Sequence, residues 1–280
     1  MRNNIYNRYV VFGYPEWKFL RTFGLHKIDF LYLLTLVTDW FLEKSNNPKG
    51  GHPFVLTPYD YLAITLLYMR QYHTMDSLAD ECGVAKSTIC KVYNRTITYL
   101  VTSGKLRLMS KSDLSEGDIM VVDATESPID RPKKGQKKYY SGKKKRHTMK
   151  TQILFCKSKG LIVGVCCDKG HVHDFEIFKE SGAGHISEEV KFIGDSGYQG
   201  MDKYRKNCET PYKKPRGGEL TKEQKVSNLN LSKKRICIEH VNAWVKRFRI
   251  LKDRYRNKRC NFWKPMFFAC VVFNWNQPSM

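Results

Sequence analysis

Residues 231–251 read LSKKRICIEHVNAWVKRFRIL, and at helical spacing they separate into two faces. Ile238, Val241, Trp244, Val245, Phe248 and Leu251 form an apolar stripe that needs a core to bury it. Arg235, Glu239, Asn242, Lys246 and Arg249 recur at i, i+4, i+7, i+11 and i+14 on the other side. A lone carboxylate in a basic row is ordinarily a salt-bridge partner on a solvated helix. The same placement also serves an enzyme that holds a metal-ligand carboxylate over a polyanionic substrate. The choice between them turns on whether two more acids elsewhere can converge on Glu239.

Upstream, two short apolar runs each end in aspartate. Ile119 to Val122 leads into Asp123 and then ATESPIDRP, which reads as a turn. Val190 to Gly194 leads into Asp195 and SGYQG. The intervening segment from Gln152 to Asp168 reads as a hairpin with Lys157 to Gly160 at its tip. Aspartate after a strand is a common turn residue, so either position alone carries little weight. Together with Glu239 they place three carboxylates on separate rigid elements. Carboxylate oxygens suit hard Mg²⁺. Two such ions about 4 Å apart can generate a nucleophile and neutralise the leaving oxygen of a phosphodiester. The chain offers no comparable Ser/His/Asp or Cys/His arrangement and no glycine-rich P-loop.

Between the first two strands lies an unusually basic segment, RPKKGQKKYYSGKKKRHTMK. From Arg131 to Lys159 there are twelve Lys or Arg and no acid, with Tyr139, Tyr140 and His147 interleaved. A charge run is usually a solvated tail, but this one sits between strands and directly after Asp123. It reads as a loop that grips phosphates beside the acids, with Lys143, Lys144, Lys145 and Arg146 at its centre. Residues 205–232 form a second long polar connection before the helix.

The whole composition agrees with a polyanionic partner. The 280 residues carry a net charge of +22, 41% hydrophobic residues and 13% aromatics, which are globular values with a strong excess of base. Residues 1–110 hold 13 Lys+Arg against 8 Asp+Glu, whereas residues 111–280 hold 36 against 19, so the extended polyanion belongs with the second part. Nine unpatterned cysteines read as reduced thiols of a cytosolic protein. Cys166 and Cys167 lie near His171 and His173, but the spacing fits no common structural zinc site and reads better as strand thiols followed by turn histidines. The N-terminus, MRNNIYNRYVVFGYPEW, lacks the apolar core of a signal peptide, and no apolar run is long enough to span a bilayer. The expectation is a soluble intracellular protein.

The first part reads as helical. Ile28 to Leu42 has helical spacing, SNNPKGGHPF is a loop, and Thr57-Pro58 opens a helix from Tyr59 to about Tyr72. In TMDSLADECGVAKSTICKVYNRTITYL, a helix from Met75 to Cys82 meets Gly83, and a second begins near Lys86 or Ser87. Ala79 is small where two helices would cross, and Val84, Ile89 and Val92 supply the apolar side of the second. That is the helix-turn-helix pattern, although any compact helical hairpin shares parts of it. With the charge balance added, Lys86, Ser87, Thr88, Lys91 and Arg95 are the expected DNA contacts. The polar stretch from Leu106 to Asp118 is a plausible joint, giving a helical domain over 1–110, with the motif at about 75–100, and a second domain over 111–280.

The chain resembles a DDE transposase of the insertion sequence 5 family, in the branch related to eukaryotic Harbinger transposases. The resemblance runs from LTPYDYLAITLLYMRQYHTMDSLADECGVAKSTI to the C-terminal helix. It is densest in VVDATESPIDRPKKGQKKYYSGKKKRHTMKTQ, IGDSGYQG and RICIEHVNAWVKRFRIL. Arg235, Glu239 and Lys246 fit the family's Y-(2)-R-(3)-E-(6)-K signature, and Ser232 stands where the family has tyrosine. The resemblance implies an α/β fold, a ribonuclease H-like mixed sheet flanked by helices, preceded here by the all-α helix-turn-helix domain. It implies a catalytic and metal-binding triad of Asp123, Asp195 and Glu239 holding two Mg²⁺ ions, with Mn²⁺ as a substitute, and Arg235 and Lys246 on DNA phosphates. It further implies a bacterial, nucleoid-associated enzyme acting on terminal inverted repeats and target DNA as a homo-oligomer on DNA, with strand cleavage followed by strand transfer. Two other readings share these residues: a relative that binds DNA but has lost catalysis, and a host nuclease cutting at specific sites.

Overall fold

The computed structural model describes residues 11–45, 54 and 56–277. The expected loop SNNPKGGHPF and the reading of the first residues therefore lie largely outside the described residues. The chain divides into two compact units. One comprises Met1–Leu106 with Arg247–Lys252, and the other Arg107–Lys246 with Asp253–Met280.

The first unit is helical: α1 (Glu16–Phe23), α2 (Lys27–Ser45), α3 (Pro58–Arg70), α4 (Met75–Cys82) and α5 (Lys86–Thr102). Thr57 caps α3 through a capping box with Asp60, in which each side chain bonds the other's backbone N–H. Helix α3 is apolar around its circumference and is buried from Tyr61 to Met69, so it is the helix that the others surround. Thr74 caps α4, and Gly83 ends it at φ +62°, a left-handed conformation that costs a glycine nothing. Three residues later α5 begins, burying Ile89, Val92 and Tyr93.

The second unit is built on a mixed sheet. Its strands are β1 (Ile119–Pro128), β2 (Tyr140–Ser141), β3 (Arg146–Cys156), β4 (Leu161–Lys169), β5 (Lys191–Ile193) and β6 (Cys208–Glu209). Strand β3 pairs antiparallel with both β1 and β4, while β1, β5 and β6 run parallel. Helices α6 (Asp174–Glu180), α7 (Lys222–Val245) and α8 (Trp263–Trp275) flank it. On one side Met120, Val122, Leu154, Val163, Phe178, Phe192 and Tyr198 share a core. Elsewhere in the unit α8, nearly all apolar, packs against β4 and α7. The Asn274 amide both accepts from the N–H of Ile162 and donates to its carbonyl, each at 2.8 Å, which satisfies backbone groups of β4 that pairing leaves open.

Three local expectations change. The residues ATESP continue β1 instead of turning, because nine consecutive residues from Met120 to Pro128 pair with β3 and ladder pairing outweighs local turn propensity. Asp123 therefore sits in mid-strand, opposite Ile153. Helix α7 starts at Lys222, inside the expected polar connection, where Thr221 and Gln224 form a capping box. It also stops at Val245. Phe248, Ile250 and Leu251 are buried, and Arg247–Lys252 belongs to the first unit, so packing breaks a helix whose periodicity reads as continuous. Arg249 consequently leaves the polar row.

Candidate active site

Asp123 projects from the middle of β1 with its side chain 19% exposed. Its two oxygens are held by α7. Arg235 Nη2 donates to Oδ1 at 3.1 Å and Asn242 Nδ2 donates to Oδ2 at 2.8 Å. At 3.6 residues per turn Arg235, Glu239, Asn242 and Lys246 share one face of α7, and that face meets β1. Burial pushes the Asp123 carboxyl up to about 6, against the pull of Arg235 and with the added repulsion of Asp195 and Asp174.

Asp195 follows β5, the strand parallel to β1, and opens a 3₁₀ turn over Ser196–Tyr198. Its Oδ1 accepts from the N–H of Gly197 at 2.8 Å, which fixes the side chain relative to the strand end. A Cβ at Gly197 would lie 3.0 Å from Asp195 Oδ1 and 2.6 Å from Asp174 Oδ2. Glycine thus keeps open the gap between two carboxylates. Asp174 is the first residue of α6, where it forms a 2.7 Å ion pair with Lys150 of β3. The Tyr198 side chain is fully buried, its hydroxyl has no hydrogen-bond partner, and burial with the charges of Asp174, Asp123 and Asp195 holds its phenol well above the ordinary range.

The sequence-predicted residues are thus brought together unevenly. Asp123 and Asp195 share one neighbourhood with Arg235. Glu239 lies on the correct face of α7 but is exposed, and among the described residues no three acid, His or Cys side chains form a metal-holding group. Lys246 is half-buried at the end of α7, where its Nζ donates to the Glu126 carbonyl at 2.9 Å. Burial lowers its ammonium, with the charge of Lys144 adding to the effect. Lys143, Lys144 and Lys145 lie in the exposed hairpin turn between β2 and β3, Arg146 is exposed at the start of β3, and Lys143 is near enough to lower the Asp123 carboxyl. In the helical unit, Lys86, Ser87, Lys91 and Arg95 are exposed on α5 and Thr88 is half-buried. Lys86 also pairs with Asp76 at 2.7 Å.

Four further residues were not legible as functional in the sequence. Asn242 was visible on the polar face but uncharged, and only its hydrogen bond to Asp123 gives it a role. Asp174 and Lys150 lie 24 residues apart on a helix and a strand. Glu126 sits in the stretch read as a turn; its carboxylate accepts from Ser141 Oγ at 3.0 Å and Thr148 Oγ1 at 2.7 Å, bracing the base of the basic hairpin. Cys167, by contrast, is a half-buried thiol of β4 that meets Thr151 at 3.4 Å, and His173 serves as the N-cap of α6.

A sheet carrying Asp123 on one strand and Asp195 after the parallel neighbour, faced by a polar helix row, is the framework of a nuclease-type enzyme. A family model described as "DDE superfamily endonuclease" matches residues 122–274, just over half of the chain. The "Probable transposase for insertion sequence element IS702" of Microchaete diplosiphon is 39% identical over 249 residues, covering 88% of this chain and 89% of the relative. The "Putative transposase for insertion sequence element IS112" of Streptomyces albus G is 27% identical over 221 residues, covering 78% and 80% respectively. No solved structure matches. The chain belongs to the DDE superfamily, among its insertion-sequence transposases.

Proposed function

We propose that the protein binds the ends of its element and carries out divalent-metal-dependent DNA cleavage and strand transfer, with Asp123, Asp195 and Glu239 as the metal-binding acids. The observation that carries this reading is Asp123 itself: a carboxylate held at both oxygens by Arg235 and Asn242, buried beside the charges of Asp195 and Asp174. Half-buried carboxylates placed near one another repel, and a bound cation offsets that cost. The surroundings fit a hard divalent ion. The groups near Asp123 able to ligate a cation are the oxygens of Asp195, Asp174 and Asn242; Gly197 leaves space between Asp195 and Asp174, and Asn242 Oδ1 is buried with no hydrogen-bond partner. Mg²⁺ held there would supply the activated nucleophile and neutralise the leaving oxygen.

The chain's own residues have separable tasks. Arg235 and Asn242 orient Asp123. The Asp195 side chain is set by the Gly197 N–H. Glu239 is exposed one turn from Arg235, on the face of α7 that also carries Asn242. Lys143, Lys144, Lys145 and Arg146 hold DNA phosphates, and Lys246, tied to β1, adds positive charge beside them. Ser232 cannot offer the phenol of the family tyrosine, so any stacking or long hydroxyl reach from that position is lost. Placement in the insertion sequence 5 family rests on the Arg235, Glu239 and Lys246 spacing. The division into domains at 110/111 rests on the polar stretch from Leu106 to Asp118, and the helix-turn-helix role of α4 and α5 rests on Gly83, the three-residue turn and the exposed basic face of α5.

The test is nicking and joining of a DNA substrate bearing the element's ends, with Mg²⁺ or Mn²⁺, for wild type and Glu239→Gln. The variant is expected to bind but to lose at least about a hundredfold in nicking. Equal nicking would sink the assigned triad. Nicking by wild type without any joined product would point to a host nuclease, and binding without nicking to a relative that only binds.

A further inference from the structure

The basic segment does more than form a hairpin turn. Residues 136–139 make a 3₁₀ turn after Gly135, and β2 then pairs Tyr140 directly with His147 of β3. The two rings meet edge to face at 5.7 Å, and Tyr140 remains 42% exposed. Beside them is a cavity of 560 Å³ lined by Arg131, Gln136, Lys137, Tyr140, His147 and His171. No acid lines it. One exposed tyrosine means little, since lone surface aromatics are common. An aromatic wall combined with two cations and two imidazoles is a different matter.

The cavity is rigidly built. Gln136 Oε1 accepts from Arg131 Nε at 3.0 Å, which aims the guanidinium and leaves its terminal nitrogens for a ligand. His171 donates its N–H to the Lys138 carbonyl at 3.3 Å, bringing the loop before α6 to the cavity rim. That approach requires Gly170, where a Cβ would stand 2.0 Å from Thr148 Oγ1 and 2.9 Å from the Tyr139 carbonyl. Arg259 covers the neighbouring Tyr139 ring at 4.8 Å, and Glu126 braces Ser141 and Thr148 beneath. The site is thus set before any ligand arrives.

We propose that this cavity receives an unstacked base of the DNA strand, with the base on Tyr140 and its phosphate on Arg131 and Lys137. The proposal rests on the DNA-processing reading above and refines it. Every base has a π-face, so stacking on Tyr140 is tolerant of sequence, while Arg131 and Lys137 supply the phosphate attraction. A base inside a duplex cannot present its face, so the pocket selects a strand that is single or locally opened. The same hairpin carries Lys143 and runs directly into β3, the strand that pairs with β1 across Asp123.

The test uses the full chain in chelator, so that no cleavage enters. Fluorescence anisotropy compares a short oligothymidylate with an abasic strand of equal length, for wild type, Tyr140→Ala, Tyr140→Trp and Arg131→Ala/Lys137→Ala. Wild type is expected to prefer the base-bearing strand by roughly tenfold. Tyr140→Ala should abolish that preference with abasic binding unchanged, Tyr140→Trp should keep it, and the double variant should weaken both strands. Equal wild-type affinity for both strands, or a preference surviving in Tyr140→Ala, overturns the proposal. Because the measurement involves no metal and no nicking, its failure is separate from failure of the assigned triad.

Discussion

At the scale of single residues, Asp123 is the position where stability and chemistry oppose each other. Its folded carboxyl is raised to about 6, with burial as the main cause. A raised acid binds its proton more tightly folded than unfolded. In metal-free protein its contribution is therefore intact below the unfolded value near 4 and is lost as pH rises through about 6. Asp123→Asn keeps the shape and removes the charge. We expect it to be more stable than wild type at neutral pH by about 2 kcal/mol, with the gap closing as pH falls toward about 4. Denaturant titrations across that range in chelator check this; parallel profiles for the two proteins would mean that no such penalty exists. Tyr198 and Asp174 belong to the same set, but neither is recognisable in the chain alone, because a buried hydroxyl and a 2.7 Å ion pair to Lys150 exist only after α6 docks on the sheet.

At the scale of elements, the basic hairpin and α7 divide the handling of charge. The turn over Lys143–Arg146 is exposed, whereas Lys150, further along β3, is buried and committed to Asp174. One run of basic residues thus splits into solvated members in the turn and a structural member where β3 enters the sheet between β1 and β4. Replacing Lys143, Lys144, Lys145 and Arg146 with glutamine should weaken duplex binding. It should also flatten the dependence of log K on log salt by about 0.9 for each phosphate that is no longer neutralised. An unchanged slope would mark the turn as a solvated run that does not touch DNA. The fold should survive, because Glu126, Ser141 and Thr148 hold the hairpin from below.

At the scale of the whole molecule, the proposed function assigns the two units two kinds of DNA recognition. The exposed residues of α5 suit recognition of particular ends, and the sheet unit suits any phosphodiester backbone. Lys91→Ala is therefore expected to reduce binding to element ends by about tenfold while leaving cleavage of generic DNA within about twofold. Competition binding against unrelated DNA, paired with nicking of a plasmid, checks it; equal losses on both substrates would remove α5 from end recognition. Lys86 is a less clean probe, since its ion pair with Asp76 is lost at the same time.

Local sequence determined the pieces whose causes are themselves local. The helix from Met75 to Cys82, its stop at Gly83, the capping of α3 by Thr57, and the hairpin tip at 157–160 all follow from neighbouring residues. The apolar runs before Asp123 and Asp195, and the spacing of Arg235, Glu239 and Lys246, are local patterns as well. Tertiary structure decided the rest. Pairing with β3 turned ATESP into strand, and burial of Phe248, Ile250 and Leu251 ended the helix at Val245. The helix of residues 231–251 is thus a longer α7 that stops early. Its polar face is anchored to β1 by Arg235, Asn242 and Lys246, and Glu239 is left exposed. Local sequence encodes torsional preference and periodicity, but pairings between residues more than a hundred positions apart depend on which surfaces are buried together.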